Sequence, residues 1–176
     1  TPEHPWWIPE FIGDVIVVNG KAWPYLNVEA KKYRFLILNG SNARAYEVRL
    51  KDLTNDLPAP SMWVIGTDGG FLDTPALIDN NAKPPQKLVV MPGERYEVVI
   101  DFSTVAAGTT LRMENTAGTP FPFGEKVNGS TTKRVMEFRV VADAALVAAT
   151  ATEFDPATMS PRAHPIEPLG GLTPLV

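Results

Sequence analysis

Cysteine is absent from the 176-residue sequence, and histidine occurs only twice, at His4 and His164. Without cysteine the chain can form no disulfide, no thiolate nucleophile and no cysteine-held metal site. The two histidines lie near opposite ends of the chain, and each is followed by proline. A metal or catalytic site built by this chain alone would have to use carboxylates or other oxygen groups.

Long hydrophobic runs and an excess of positive charge are also lacking. The apolar runs are far shorter than the roughly 18 residues that cross a bilayer, and 16 basic against 20 acidic residues give a formal net charge of −4. This balance provides no attraction to nucleic acid or to an anionic membrane. We expect neither as a partner. Thr1 to Pro5 lack an export-signal pattern, so we expect any such signal to lie outside this chain.

Proline, with 17 residues, is concentrated near the two ends of the chain. This distribution predicts linkers at residues 1–10 and 143–176 and a single domain at residues 11–142. The length suffices for one domain with a full apolar core. Residues 141–154, "VADAALVAATATEF", permit a short helix, although their alanines form no wide apolar stripe.

Between the ends, apolar and polar residues alternate with a period of two, which is typical of strands with one buried face. In "YEVVIDF", Val98, Ile100 and Phe102 share one face, whereas Glu97 and Asp101 point the other way. Strands are predicted at residues 15–18, 33–38, 46–50, 62–66, 87–90, 96–102, 110–114 and 136–140. No helical stripe between them is long enough for a parallel crossover, so an all-β, mostly antiparallel sandwich or Greek-key barrel follows.

Two short sequences predict tight turns between strands. Asn19-Gly20 suits a two-residue hairpin, because both residues tolerate positive φ. Pro92-Gly93 suits a type II turn, in which proline presets one backbone angle and glycine accepts the other. Longer loops are predicted at residues 54–60, "TNDLPAP", and 73–86, "DTPALIDNNAKPPQ".

The polar residues offer few candidates for chemistry. Asp68 in "GTDGGF" could bind calcium or act as a base, but a turn aspartate bonding its own backbone is the simpler interpretation, because further oxygen ligands are missing nearby. Glu94 and Asp101 are rejected as a glycosidase pair, since an extended strand would separate them by roughly 23 Å. Arg44 lacks a glycine-rich phosphate loop, and we expect it to have a structural or surface role.

The sequence "NGS" occurs at residues 39–41 and 128–130, where it matches the glycosylation acceptor pattern. Turn chemistry explains both occurrences equally well. We interpret the longer "NGSNAR" as a strand-to-strand turn that shapes the fold without chemistry of its own. Aromatic residues are more suggestive: Trp6, Trp7, Phe121 and Phe123 lie in segments that otherwise look exposed. They predict either a contact surface or packing over an open end of the sandwich.

Three blocks in fixed order carry a family resemblance: "FIGDVIVVNGKAWPYLNVEAKKYRFLILNGSNARAYEVRL", "VIGTDGGFLDTP" and "VVMPGERYEVVIDFS". Together they resemble the middle domain of three-domain multicopper oxidases, in the branch of bacterial laccases, bilirubin oxidases and spore-coat laccases. The resemblance covers about Pro9 to Val141. It implies a cupredoxin-like Greek-key β-sandwich, in agreement with the strand pattern.

The resemblance also implies where copper belongs. In such oxidases the mononuclear copper lies in the third domain and the trinuclear cluster lies between the first and third, on histidine-dense motifs of the HWHG, HxH and HCH kinds. None of these motifs occurs here, and a cupredoxin copper site needs two histidines and a cysteine. We expect this chain to bind no copper and to act as a spacer whose partners are the first and third domains.

In similar enzymes the middle domain also lends one wall to the pocket in which a small aromatic donor meets the mononuclear copper. The resemblance places that wall at two segments. Pro9, Glu10 and Ile12 form the first, and Ala117, Gly118 and Thr119 form the second. Some relatives join these segments by a disulfide, and Ile12 and Thr119 stand where the resemblance would place its cysteines.

Two alternatives remain open at this stage. The chain could be a ligand-less cupredoxin scaffold of the kind that serves in envelope assembly or cell division, or an independent carbohydrate- or protein-binding β-sandwich. If the chain is an oxidase domain, we expect Trp6, Trp7, Phe121 and Phe123 to contact neighbouring domains. The independent binding module is the alternative that these exposed-looking aromatics favour. Since homologous oxidases are usually exported, the resemblance implies an extracytoplasmic parent protein, in which phenolic or aromatic donors are oxidised while O2 is reduced to water.

Overall fold

The computed structural model describes residues 11–142, and the features predicted for residues 1–10 and 143–176, including the short helix, lie outside this range. The described residues form strands and turns, and among them there is no helix that could cross a membrane. The strands are β1 (Val17–Val18), β2 (Lys21–Ala22), β3 (Tyr25–Glu29), β4 (Lys32–Leu38), β5 (Tyr46–Asp52), β6 (Met62–Thr67), β7 (Gly70–Ile78), β8 (Leu88–Val90), β9 (Arg95–Asp101), β10 (Thr110–Asn115) and β11 (Arg134–Val141).

Two sheets pack face to face as a sandwich. One has the strand order β3-β11-β10-β5-β8, the other has the order β4-β9-β6-β7, and β1 pairs with β2 in a separate hairpin. Neighbouring strands are antiparallel except for β3 and β11, which run parallel. Successive strands repeatedly change sheet, as in a Greek key. The mostly antiparallel β-sandwich predicted from the sequence is confirmed.

The core lies between the sheets and is built from the residues whose alternation marked the strands. Val98, Ile100 and Phe102 are fully buried, and Phe138 of the opposite sheet is fully buried as well. The rings of Phe102 and Phe138 pack with centroids 5.4 Å apart and planes tilted by 49°. Burial of each such side chain contributes about 1.5–3 kcal/mol, so the hydrophobic contacts across the sandwich hold the sheets together.

Both predicted tight turns are confirmed. Asn19 and Gly20 have φ of 50° and 80°, and they connect Val18 to its partner Lys21, as a two-residue hairpin turn requires. Gly93 has φ of 86°, and the amide of Glu94 donates to the carbonyl of Met91 at 3.1 Å. Glycine is therefore required at position 93 by the backbone conformation and not by packing.

The loop predicted at residues 73–86 is wrong for residues 73–78, which belong to β7. This strand contains Pro75, which has no backbone N–H to donate. The fold tolerates the proline because β7 is the edge strand beside β6. The register of the pair also shifts between Val64 and Gly66, whose partners are Ala76 and Phe71, so the intervening residues bulge away. Proline in strands is confined to such edges and bulges.

Two further elements depart from the sequence prediction. The strand expected at residues 15–18 is reduced to β1, and β3 was not predicted. In β3 only Val28 is buried, so the strand shows no alternation. At the edge of the other sheet, β4 presents Leu36 and Leu38 to solvent, at 74% and 63% exposure.

Candidate functional site

A cleft of about 460 Å³ opens where three segments meet at one end of the sandwich. These segments are residues 11–16, the connection from β4 to β5 (39–45) and the connection from β10 to β11 (116–133). We call it the Arg44 cleft. Its lining is mostly polar and consists of Ile12, Asp14, Arg44, Thr119, Glu125, Lys126, Val127, Asn128, Thr131 and Thr132.

Arg44 joins the two sides of this cleft through its guanidinium group. Its Nη1 donates to the hydroxyl oxygen of Thr119 at 2.9 Å, and its Nη2 donates to the carbonyl oxygen of Gly13 at 2.8 Å. Arg44 is only 7% exposed. The structural role expected for this arginine is confirmed, but the side chain bridges two chain segments inside the protein instead of covering its surface.

Asn39 fixes the backbone from which Arg44 projects. It is buried, and its Nδ2 donates to the carbonyl oxygens of Arg44 at 2.8 Å and of Val90 at 2.9 Å. Its Oδ1 accepts from the amide of Ser41 at 3.0 Å. The "NGSNAR" turn is therefore anchored to β8, and its amide is engaged on both sides, as buried polar groups require. Asn39 has no exposed nitrogen for a glycan.

The opposite side of the cleft is a closed loop at residues 119–125. The amide of Thr119 donates to the carbonyl of Glu125 at 2.9 Å, and the amide of Glu125 donates back to Thr119 at 2.8 Å. The chain crosses so closely that a Cβ on Gly124 would lie 1.9 Å from the carbonyl carbon of Thr119. At the tip of this loop Phe123 is 96% exposed, and Phe121 is half-buried. The loop is therefore closed by its own backbone hydrogen bonds and exposes one phenyl ring to solvent.

The start of the β10–β11 connection is held from the sandwich side by buried amides and a charged pair. Asn115 is fully buried, and its Oδ1 accepts from the amides of Glu47 at 3.1 Å and Ala117 at 3.0 Å. The Thr116 hydroxyl donates to Oε2 of Glu47 at 2.9 Å, and Lys87 donates to the same oxygen at 2.8 Å. The Lys87 hydrogen bond lowers the pKa of Glu47 despite partial burial, so this carboxylate stays ionised and keeps both contacts.

Next to this region, the fully buried carboxylate of Glu114 lies close to three cationic side chains. Its two oxygens accept from Nη2 of Arg112 at 2.8 Å and Nη2 of Arg49 at 3.0 Å, and Nζ of Lys133 lies 3.5 Å away. Burial raises the pKa of Glu114, but the hydrogen bonds from Arg112 and Arg49 and the charge of Lys133 outweigh it and hold the pKa below its ordinary value. The cluster is a structural ion network, because every oxygen of Glu114 is engaged.

The predicted site residues fall into three groups. Ile12 and Thr119 both line the Arg44 cleft, and Gly118 directly precedes Thr119. Ala117 is buried and does not line the cleft. Pro9, Glu10, Trp6 and Trp7 lie outside the described residues.

Asp68 was predicted to bond its own backbone, and this is wrong. Its Oδ1 accepts from the amide of Arg95 at 2.9 Å and pairs with Nε of the same arginine at 2.9 Å. The aspartate therefore fastens the β6–β7 turn to the start of β9. Within residues 11–142, no group of three or more His, Cys, Asp or Glu side chains is placed to hold a metal ion.

The donor set of this chain does not fit a cupredoxin copper centre. Such a centre uses two histidines and one cysteine thiolate, and the whole chain has no cysteine. We therefore assign no copper chemistry to residues of this domain.

A second cavity, of about 350 Å³, is lined by residues such as Asp52, Thr104 and Leu111. The carboxylate of Asp52 is occupied there by the backbone amides of Thr54 and Asn55.

The chain is similar in sequence to laccases and other multicopper oxidases, although no family model matches it. It is 42% identical to a laccase of Bacillus stratosphericus over 145 residues, which is 80% of this chain and 25% of the relative. It is 44% identical to multicopper oxidase LPR1 homolog 5 of Oryza sativa subsp. japonica, over 76% of this chain and 20% of the relative. The chain thus spans between a fifth and a quarter of the length of these relatives.

Solved structures agree with the sequence comparison. The McoA multicopper oxidase from the hyperthermophile Aquifex aeolicus matches with a TM-score of 0.63 and 35% identity, over 80% of this chain and 28% of that one. A laccase-like multicopper oxidase, CueO, from Ochrobactrum sp. matches with a TM-score of 0.57 and 34% identity, over 78% and 25%. The β-sandwich and the sequence identity point to the same proteins, and the chain belongs to the multicopper oxidase family with a cupredoxin fold.

Proposed function

We propose that this chain is the copper-free middle domain of a laccase-like multicopper oxidase. In this role it spaces two copper-binding neighbours and forms one wall of the pocket for a phenolic or other aromatic donor. The observation that carries the proposal is the Arg44 cleft, because two separate segments that the family resemblance assigns to the pocket wall line the same cavity at Ile12 and Thr119. Homology to about a quarter of a laccase supports a single domain of a longer enzyme.

The copper-free role is supported by composition. Soft thiolate and imidazole ligands select copper, and this chain offers no cysteine and only His4 and His164. The parent oxidase would oxidise its donor and reduce O2 to water on copper held by other domains. Within that enzyme, this domain would position the donor and the neighbouring domains without exchanging electrons itself. An extracytoplasmic location of the parent belongs to the same proposal.

Phe123 is the proposed contact to a neighbouring domain. A phenyl ring that is 96% exposed on a doubly hydrogen-bonded loop loses little conformational freedom when it binds, and aromatic anchors of this kind dominate interface energies. Phe121, half-buried in the same loop, would extend the same contact. Trp6 and Trp7 are proposed to join the contact from the preceding segment.

Metal analysis tests the copper-free role. The 176-residue chain and the full-length oxidase encoded by its gene are purified from copper-supplemented cells and analysed by mass spectrometry, together with a phenol oxidation assay. We expect copper and turnover only in the full-length protein. Stoichiometric copper in the 176-residue chain would overturn the proposal. The middle position is tested by reading the gene on both sides, where histidine-rich copper motifs should flank this chain.

The pocket wall is tested by filling the cleft. Thr119→Trp in the full-length oxidase should raise KM for a bulky phenol at least about tenfold, the effect of losing roughly 1.4 kcal/mol of donor binding, while copper content stays unchanged. Thr104→Trp is the matched control, because Thr104 lines the second cavity and not the Arg44 cleft. Equal KM values for the two variants would contradict the wall assignment.

A further inference from the structure

The contacts of Arg44 could not be predicted from the sequence around it. Its partner Gly13 lies 31 residues before it and its partner Thr119 lies 75 residues after it. Both contacts are made by terminal nitrogens of one guanidinium group, at 2.8 and 2.9 Å. One planar group therefore bonds to both sides of the cleft.

An arginine side chain can donate to both acceptors at once, and a lysine side chain in its place cannot. A guanidinium presents several N–H donors in a rigid plane and can hold two acceptors in fixed directions, whereas an ammonium is a point donor on a flexible stem. Burial of a charge is costly unless it is hydrogen-bonded. Among the described residues Arg44 forms no ion pair with a carboxylate, so the Thr119 hydroxyl and the Gly13 carbonyl provide its compensation.

The two segments joined by Arg44 differ in their own support. Thr119 belongs to a loop closed by two backbone hydrogen bonds with Glu125. Gly13 precedes β1 and lies outside any strand; the next anchor along that segment is Ile16, which is buried and accepts from the amide of Trp23 at 3.1 Å. The Arg44 bond therefore fixes the less supported segment against the better supported one.

We propose that Arg44 is a positioning residue for the substrate pocket: it ties the segment before β1 to the Thr119 loop and so sets the width of the cleft. The functional part of this inference rests on the proposed role of the cleft as a pocket wall. Arg44 does not touch the donor or the copper in this account. It acts through Gly13 and Thr119, whose spacing decides which donor fits.

Amide hydrogen exchange on the 176-residue chain tests the tie itself. Arg44→Lys keeps the charge but cannot reach both acceptors, and Thr119→Val keeps the shape but removes one of them. We expect the amides of Trp23 and Glu125 to exchange at least about tenfold faster in the Arg44→Lys variant, because local opening governs exchange at such sites. Amides of β9 in the core should exchange as in the parent sequence.

A uniform increase in exchange across the chain would show a merely structural role and overturn the proposal, as would unchanged exchange at Trp23 and Glu125. The control is Arg139→Lys, since Arg139 is exposed, pairs with Glu137 at 3.2 Å and stacks on Tyr25. It should leave the exchange of both reporter amides unchanged.

Kinetics of the full-length oxidase then separate the tie from its function. Arg44→Lys should raise KM for a bulky phenol severalfold with little change in kcat, because a positioning residue alters the fit of the donor and not the electron transfer. Faster exchange together with an unchanged KM would confirm the Arg44 tie and overturn the pocket-wall function. Unchanged exchange in Arg44→Lys together with a raised KM for Thr119→Trp would overturn the Arg44 tie and support the pocket-wall function.

Discussion

Replacing Glu114 with glutamine will lower the free energy of unfolding by about 2–3 kcal/mol at neutral pH. Glutamine has nearly the same volume but no charge, so Arg49, Arg112 and Lys133 lose the anion that they share. Removing one partner of a buried ion pair costs about 3–5 kcal/mol. The side chains of the three cations retain 28%, 17% and 30% exposure, so water recovers part of that loss.

The stability that Glu114→Gln loses should also depend on pH. The pKa of Glu114 is raised by burial and lowered more strongly by Arg112, Arg49 and Lys133, and the net shift is downward. A carboxyl whose folded-state pKa is depressed contributes stability above its unfolded-state pKa, and this contribution is lost as the pH falls through the folded-state value. The difference between the parent chain and Glu114→Gln should therefore stay constant above the ordinary glutamate pKa of 4.5 and shrink as the pH falls below it.

Urea unfolding followed by tryptophan fluorescence at a series of pH values measures both quantities. Glu137→Gln is the matched control, since Glu137 pairs with Arg139 at 3.2 Å and both side chains are partly exposed. Exposed ion pairs contribute about 0–1 kcal/mol, and the control should stay in that range. The electrostatic account of Glu114 is refuted if its substitution costs no more than the control, or if the cost is the same in acid.

Three further substitutions test the fold and the cleft. Asn39→Ala leaves two buried carbonyl oxygens without their donor and should cost about 2–3 kcal/mol in urea unfolding; a cost near zero would show that water replaces the amide. Phe102→Ala empties the centre of the aromatic core and should cost about 3–5 kcal/mol by the same measurement, and a smaller cost would indicate a loosely packed core. Gly124→Ala places a methyl group against Thr119, so the amides of Thr119 and Glu125 should exchange faster while β9 remains protected; unchanged exchange would contradict the close crossing.

Strands with one buried face could be predicted from the sequence, whereas two of the edge strands, β3 and β7, could not. In β9 the fully buried Val98 and Ile100 produce the alternation directly, because the core demands an apolar residue at every second position. In β3 only Val28 meets the core, so the pattern is missing although the hydrogen bonds of a strand are present. In β7 the presence of Pro75 argued for a loop, since the sequence does not show that this strand is at an edge.

The side-chain contacts that hold the Arg44 cleft together could not be predicted from the sequence. The resemblance pointed to Ile12 and Thr119, and both line the cleft. Arg44 was recognised as structural, yet its contacts depend on two residues that are distant along the chain. Only the folded topology brings those segments together, so no local rule could name Gly13 as an acceptor.

The four outermost strands of the two sheets are protected to very different degrees. β8 has only three residues and β3 only five, and β7 is interrupted by its proline and bulge. β4 offers seven regular residues with Leu36 and Leu38 in solvent, which is a ready template for another strand. Concentrated samples of the isolated chain will therefore begin to self-associate along β4, and a lysine in place of Leu36 is the simplest way to keep them monomeric.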